Sequence, residues 1–142
     1  DREAVLTILR ELKPHQIFAT GIGQDPSSVG GVCFGILRAA VSLVKTEAWW
    51  TDCRVWLYRT PDKAWAAHEI DMAVPLSPAQ LAQKVRAIYQ HKSQRSQTPA
   101  TGPGLQESWQ QAEAAARALA DVYDALGLAE YEAIEAFQRY QA

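Results

Sequence analysis

The chain has 142 residues, a formal charge of −2 at pH 7 and a hydrophobic content of 48%. This size and composition are typical of one globular domain in water. The charge balance gives no strongly basic surface for nucleic acid or for an anionic membrane, and no apolar run approaches the roughly 18 residues that a bilayer-spanning helix needs. We therefore predict neither a nucleic-acid partner nor a membrane partner.

The start of the chain bears on whether it is part of a longer polypeptide, and its cysteines bear on its cellular location. The first residue is Asp1, and no signal-like segment follows it, so we expect the chain to be part of a longer polypeptide. Cys33 and Cys53 lie far apart in apolar surroundings. We expect buried, reduced thiols rather than a disulfide, and a cytoplasmic location.

The first half of the chain has the pattern of a strand–helix–strand unit. Apolar spacing predicts a helix over Arg2–Leu12 and a short buried strand over Gln16–Thr20. A glycine-bearing loop leads to a helix over residues 30–46, and a second strand follows over residues 53–59. The middle helix is apolar round most of its circumference, which indicates that a further domain or subunit covers it.

The second half begins with a strand over residues 69–74 and then a strong helix start. Ser77 is a good N-cap, Pro78 suits the first helical position and Gln80 completes a capping box. This helix is predicted to run to about residue 94.

A loop over residues 95–104 separates that helix from the end of the chain. A long amphipathic helix is predicted from Leu105 to a glycine C-cap at Gly127, and a last helix over residues 130–140. The predicted fold is α/β, a Rossmann-like three-layer fragment with a small, mostly parallel sheet and a C-terminal helical pair. The expected segments are residues 1–94, the loop 95–104 and a helical extension over residues 105–142.

Candidate binding residues collect around the loop after the first strand and at the end of the second. In α/β proteins ligands bind outside the carboxyl ends of parallel strands, where helix N-termini present backbone N–H groups. The candidates in these two places are Asp25, Ser27, Ser28, Gly30, Tyr58 and Arg59. An alternative stays open for Tyr58 and Arg59, which are also typical of an aromatic residue at a sheet edge and of a charged surface residue. The loop lacks a complete glycine motif for phosphate binding, so its signal for a phosphate site is weak.

Several segments taken together carry a resemblance to a known family. They are Asp25, Pro26 and Cys33, then DCRVWLYR at 52–59, HEIDMAVPLSPAQLAQK at 68–84, AIYQHKSQ at 87–94 and ADVYDALGLAEYEAIEAF at 120–137. Their order resembles the C-terminal half of a LmbE/PIG-L-like deacetylase domain, in the version fused behind a glucosamine-6-phosphate deaminase domain in some bacteria. Residues 1–94 correspond to that half-domain. His91 and Gln94 match a His-x-Ser-Gln segment that lies near the sugar site or supports it, although a histidine at a helix end also serves as a simple cap.

The resemblance implies a zinc-dependent hydrolase that removes acetyl groups from N-acetylglucosamine-type sugars. The family holds its metal with a His-Pro-Asp-Asp motif and a histidine in the loop corresponding to residues 25–31. This chain has no His-Pro-Asp-Asp motif, and Ser27 and Gly30 stand where the fused relatives carry histidines. Because zinc needs three or four nitrogen, oxygen or sulfur donors, we predict no metal ligand and no cofactor in this chain.

Two functions follow as hypotheses. In the first, the chain is a portion of an amino-sugar deacetylase domain, is not catalytic on its own and binds an amino sugar or a sugar phosphate. In the second, it is a non-catalytic interaction or oligomerisation module that packs on a partner chain or on another domain of the parent protein.

Overall fold

The computed structural model describes residues 1–20, 26–60, 65–91, 107–128 and 130–141, which fall into two compact units. The first unit comprises Asp1–Arg59 and Phe137–Ala142, and the second comprises Thr60–Ala136. The predicted α/β class is confirmed. The described residues form four α-helices and a four-stranded mixed sheet, consistent with a Rossmann-like fragment.

The helices agree closely with the sequence pattern. They are α1 (Arg2–Leu12), α2 (Val29–Val44), α3 (Pro78–Gln90) and α4 (Ser108–Ala125), with short 3-10 helices at Ala48–Asp52 and Ala67–Glu69. The helix predicted to reach residue 94 ends at Gln90. No helix in the described ranges is both long and apolar enough to cross a bilayer.

The strands form a sheet with the order β1-β2-β4-β3. They are β1 (Gln16–Thr20), β2 (Arg54–Tyr58), β3 (Met72–Leu76) and β4 (Ala133–Arg139). β1 and β2 are parallel, as a strand–helix–strand unit requires. β2 and β4 are antiparallel, so the sheet is mixed.

The core of the first unit lies between α1, α2 and one face of the parallel strands. Leu6, Leu9, Ala40 and Val44 form a buried cluster, and Ile17, Val5, Trp49 and Trp50 pack against it. Val55 is opposite Ile17 in the parallel register and therefore shares its face of the sheet; Val55 and Leu57 are buried.

A buried cluster of the second unit lies beside ion pairs. Leu81, Ala116 and Ala133 are buried together, with Leu76 packed against them. Lys84 Nζ lies 2.5 Å from Glu135 Oε1.

A second ion-pair network in this unit is built on Arg117. Its guanidinium pairs with Glu132 and with Glu113, whose Oε1 is 3.0 Å from Nη2. Hydrogen bonds to Glu132 and Glu113 raise the pKa of Arg117. The network joins α4 to the turn that precedes β4.

Both predicted helix boundary signals of the second unit are confirmed. Ser77 Oγ accepts from the Gln80 N–H at 3.3 Å while Gln80 Oε1 accepts from the Ser77 N–H at 2.9 Å, which is the capping box. Gly127 has φ 69°, its N–H donates to the Asp124 carbonyl at 2.8 Å, and the Leu128 N–H donates to the Tyr123 carbonyl at 3.0 Å. These two bonds define a Schellman C-cap, a conformation that glycine adopts without a Cβ clash.

The predicted last helix is wrong, because residues 133–139 form strand β4. The segment AIEAFQR is rich in helix-favouring alanine and glutamate, and the spacing of Ile134 and Phe137 suits a helix face. Pairing with β2 overrides that local preference, since Trp56 lies opposite Arg139 and the Tyr140 N–H donates to the Val55 carbonyl at 2.9 Å. The C-terminal helical pair is therefore a helix followed by a strand.

Two further expectations need correction. The third strand starts at Met72 rather than residue 69, because Glu69 Oε2 accepts from the Ala66 N–H at 3.0 Å and caps a short 3-10 helix there. Pro75 lies in this strand, which stands at the end of the sheet order, where a missing N–H is tolerated. Cys53 is buried as expected, whereas Cys33 is exposed on the first half of α2.

Candidate functional site

The corner between β1 and α2 is held by two side-chain hydrogen bonds. At the end of β1, Thr20 Oγ1 donates to the Gly30 carbonyl in the first turn of α2 at 3.1 Å. Ser28 Oγ accepts from the Gly31 N–H at 3.0 Å and is the N-cap of α2. Ser28 therefore satisfies a backbone N–H at the start of α2, and the predicted strand and the helix that follows it are both present.

The neighbouring parallel strand ends beside this corner. The register places Tyr58, the last residue of β2, opposite Thr20, the last residue of β1. Arg59 follows directly and Tyr58 is 41% exposed. The first unit thus brings Ser27, Ser28 and Gly30 to the same end of the parallel pair as Tyr58 and Arg59.

The side chains at this end of the sheet include hydrogen-bond donors and one cation. Serine hydroxyls, a phenol and a guanidinium supply hydrogen-bond donors, and the guanidinium adds a positive charge. The N-terminus of α2 contributes the positive end of its dipole and backbone N–H groups. A sugar hydroxyl or a phosphate ester matches these donors.

Two residues near this end were not among the candidates from the sequence. Thr20 links β1 to α2, and a hydroxyl residue directly before a glycine-bearing loop is the signal that points to it. Trp56 lies on the same face of β2 as Tyr58, and its indole Nε1 is buried with no acceptor among the described residues. Only the tertiary structure reveals that buried donor.

Of the three other predicted site residues, the structure describes His91. His91 belongs to the second unit, where it is the C-cap of α3 and its N–H donates to the Ile88 carbonyl at 3.0 Å. Asp25 and Gln94 lie outside the described residues.

The donors at the corner do not fit a zinc site. Hydroxyls are poor zinc ligands compared with histidine, cysteine or carboxylate, and the Ser28 hydroxyl already accepts from the α2 backbone. Over the described ranges, no three His, Cys, Asp or Glu residues are grouped so as to hold a metal ion.

The cysteines do not complete such a set either. Burial raises the pKa of the Cys53 thiol, which disfavours its thiolate form. Cys33 is exposed on α2.

The chain is similar to a larger bacterial protein. A protein of Bacteroides thetaiotaomicron is 45% identical to it over 142 residues, which is 99% of this chain and 21% of the relative. That relative carries the provisional name glucosamine-6-phosphate deaminase-like protein. The chain thus spans about a fifth of the length of this relative. No protein-family model matches the chain.

Proposed function

We propose that the chain is a portion of a LmbE/PIG-L-like amino-sugar deacetylase domain within a glucosamine-6-phosphate deaminase-related protein. In this role it contributes contacts to an amino sugar or a sugar phosphate and is not catalytic on its own. The observation that carries the proposal is the 45% identity, over nearly the whole chain, with a much longer protein whose name refers to glucosamine 6-phosphate.

The geometry of the corner supports a binding role rather than a hydrolytic one. Ser27, Ser28 and the α2 N-terminus offer neutral donors to sugar hydroxyls, and Arg59 offers a cation to a phosphate group. In the resembled family, zinc polarises the acetyl carbonyl and activates water. Because the donors here do not fit zinc, we assign no hydrolytic step to this chain.

Calorimetric titration of the 142-residue chain with glucosamine 6-phosphate and with N-acetylglucosamine tests the binding role. We expect saturable binding that Arg59→Gln weakens about tenfold for the phosphorylated sugar, equivalent to ~1.4 kcal/mol. Arg38→Gln, which removes an exposed arginine from the polar side of α2, is the matched control and leaves the affinity unchanged.

Zinc analysis and an acetate-release assay test the second part of the proposal. We expect no acetate from N-acetylglucosamine and no stoichiometric zinc in the purified chain. Stoichiometric zinc together with acetate release contradicts the assignment of a non-catalytic portion, and a chain that binds neither sugar contradicts the binding role.

A second candidate function, an interaction module, is favoured by the surface of α2. Val29 is 83% exposed, Val32 49% and Leu43 45%, although Ala40, Val41 and Val44 of the same helix are buried. Exposed apolar surface on this scale marks contact with another protein segment. A chain that associates with itself or with a partner and is indifferent to both sugars fits this function instead.

A further inference from the structure

One edge of β1 presents hydrogen-bonding groups that β2 does not use. The Arg54 N–H donates to the His15 carbonyl at 2.8 Å, and Gln16 is level with Arg54 in the parallel register. Backbone groups alternate in direction along a strand, so Ile17 and Ala19 face β2. The N–H and C=O groups of Gln16, Phe18 and Thr20 face the other way.

No strand in the described part of the chain pairs with this outward edge. β1 stands at the end of the sheet order, and β2 is its neighbour on the inner side. Solitary edge strands are normally protected by proline, lysine, a bulge or a covering segment. The β1 sequence QIFAT contains neither proline nor a charged residue, and Phe18 in its centre is 50% exposed.

The helix that follows β1, α2, also exposes an apolar surface. Val29, Val32, Ile36 and Leu43 follow one another at helical spacings of three, four and seven residues and therefore share a side of α2. The exposed valines and leucine of this stripe contrast with Ala40, Val41 and Val44, which are buried on the neighbouring side. The apolar surface of α2 is thus wider than the described residues bury.

We propose that, in the whole protein, a β-strand from polypeptide outside residues 1–142 pairs with the outward edge of β1. The inference rests on the proposed function in one respect, namely that the chain is a portion of a larger protein. The backbone groups of Gln16, Phe18 and Thr20 define the chemistry of the occupant, which must be an extended segment that offers a complementary ladder.

The length of the Bacteroides relative and the exposed apolar side of α2 indicate which polypeptide supplies the strand. The Bacteroides relative has about four-fifths of its length outside the region that matches this chain, enough for further strands and the helices that connect them. Helices that connect such strands would also cover the apolar side of α2.

Amide hydrogen exchange resolved to single residues tests the proposal. In the 142-residue chain we expect the ladder amides of Ile17 and Ala19 to exchange at least about tenfold more slowly than those of Gln16, Phe18 and Thr20. In the full-length Bacteroides relative, all amides of the segment aligned with β1 should exchange slowly at every protein concentration.

Three results would overturn the inference. Slow exchange of the outward amides in a monomeric 142-residue chain would mean that this chain covers its own edge. Slow exchange only in a dimer, as judged by light scattering, would assign the edge to a second copy. Fast exchange of the outward amides in the full-length relative would show that no strand pairs there.

A pair of proline variants sharpens the test. Phe18→Pro removes an outward N–H and should leave the ladder amides of the 142-residue chain as slow as before, whereas Ala19→Pro removes a ladder donor and should speed their exchange. Proline at the position of the relative aligned with Phe18 should speed exchange across the aligned segment, and a silent substitution there would contradict the proposal. None of these measurements involves a sugar, so failure of the amino-sugar role is distinguishable from failure of the strand pairing.

Discussion

The two units stabilise themselves by different means. The first unit buries large apolar side chains: Leu6, Leu9 and Val44 form its cluster and two tryptophans pack against it. The second unit packs α3 against α4 through Leu81 and the small Ala116, and charged pairs lie beside this contact. The second unit also buries Trp65 and Ile134. It is therefore the α3–α4 contact, rather than the whole second unit, that depends on close approach of helices, whereas the cluster of the first unit depends on the area removed from water.

This difference predicts opposite sensitivities to side-chain volume. A core built from large side chains loses stability when a side chain is shortened, because a cavity remains. A contact built around alanine loses stability when a side chain is lengthened, because the helices must move apart. Charged pairs near the surface modify both effects only slightly.

Leu9→Ala should have the largest effect. Leu9 is 5% exposed, so we expect a loss of about 3 kcal/mol in the free energy of unfolding, measured by denaturant titration. Exchange should accelerate most in the first unit. Ile8→Ala is the matched control on the same helix; Ile8 is 52% exposed, and we expect a change within about 0.5 kcal/mol. Similar losses for both variants would contradict the buried cluster.

Ala116→Leu should have the next largest effect, through the second unit. Ala116 is buried in the contact between α3 and α4, so added volume should cost about 2 kcal/mol by the same titration. Ala118→Leu places the same side chain at an exposed position of α4 and should be nearly neutral. If Ala116→Leu were neutral and Ala116→Gly strongly destabilising, the close packing of α3 and α4 would be refuted.

The smallest effect concerns a carboxylate of the first unit and depends on pH. Glu47 accepts from the Trp49 indole Nε1 at 2.7 Å and from Arg10 Nε at 2.9 Å, which lowers its pKa below the ordinary 4.5. A lowered folded-state pKa means that its stabilising contribution is complete above 4.5 and is lost as the pH falls below that value. Glu47→Gln should therefore lower the melting temperature at neutral pH, and the gap to the unchanged protein should close on acidification. A gap that is constant across this range would argue against the two hydrogen bonds.

The elements that the sequence predicts correctly are those whose signals are local. Asp1 accepts from the Glu3 N–H at 3.0 Å and caps α1, whose bounds match the predicted helix. Pro14 and Gly21 bracket β1, whose bounds match the prediction. Ser77 and Gly127 mark a helix start and a helix end through bonds to residues at most four positions away, so composition near each boundary is sufficient.

The candidate site is predictable for a similar reason, but only in part. A strand followed by a loop and a helix places Ser28 and Gly30 at a helix N-terminus, and parallel pairing places Tyr58 opposite Thr20. His91 lies at the C-cap of α3. The sequence already places it near a helix end, and only the fold groups that helix with the second unit.

The order of residues along the chain is enough to specify the caps, the helix faces and the strand–loop–helix corner, since each depends on neighbours within one or two turns. Contacts between segments that are distant in the chain determine the remaining strand and the burial of the cysteines. Residues 133–139 are helix-favouring in isolation yet form a strand, because β2 offers them a ladder. Packing likewise buries Cys53 while leaving Cys33, on an equally apolar stretch, in contact with water.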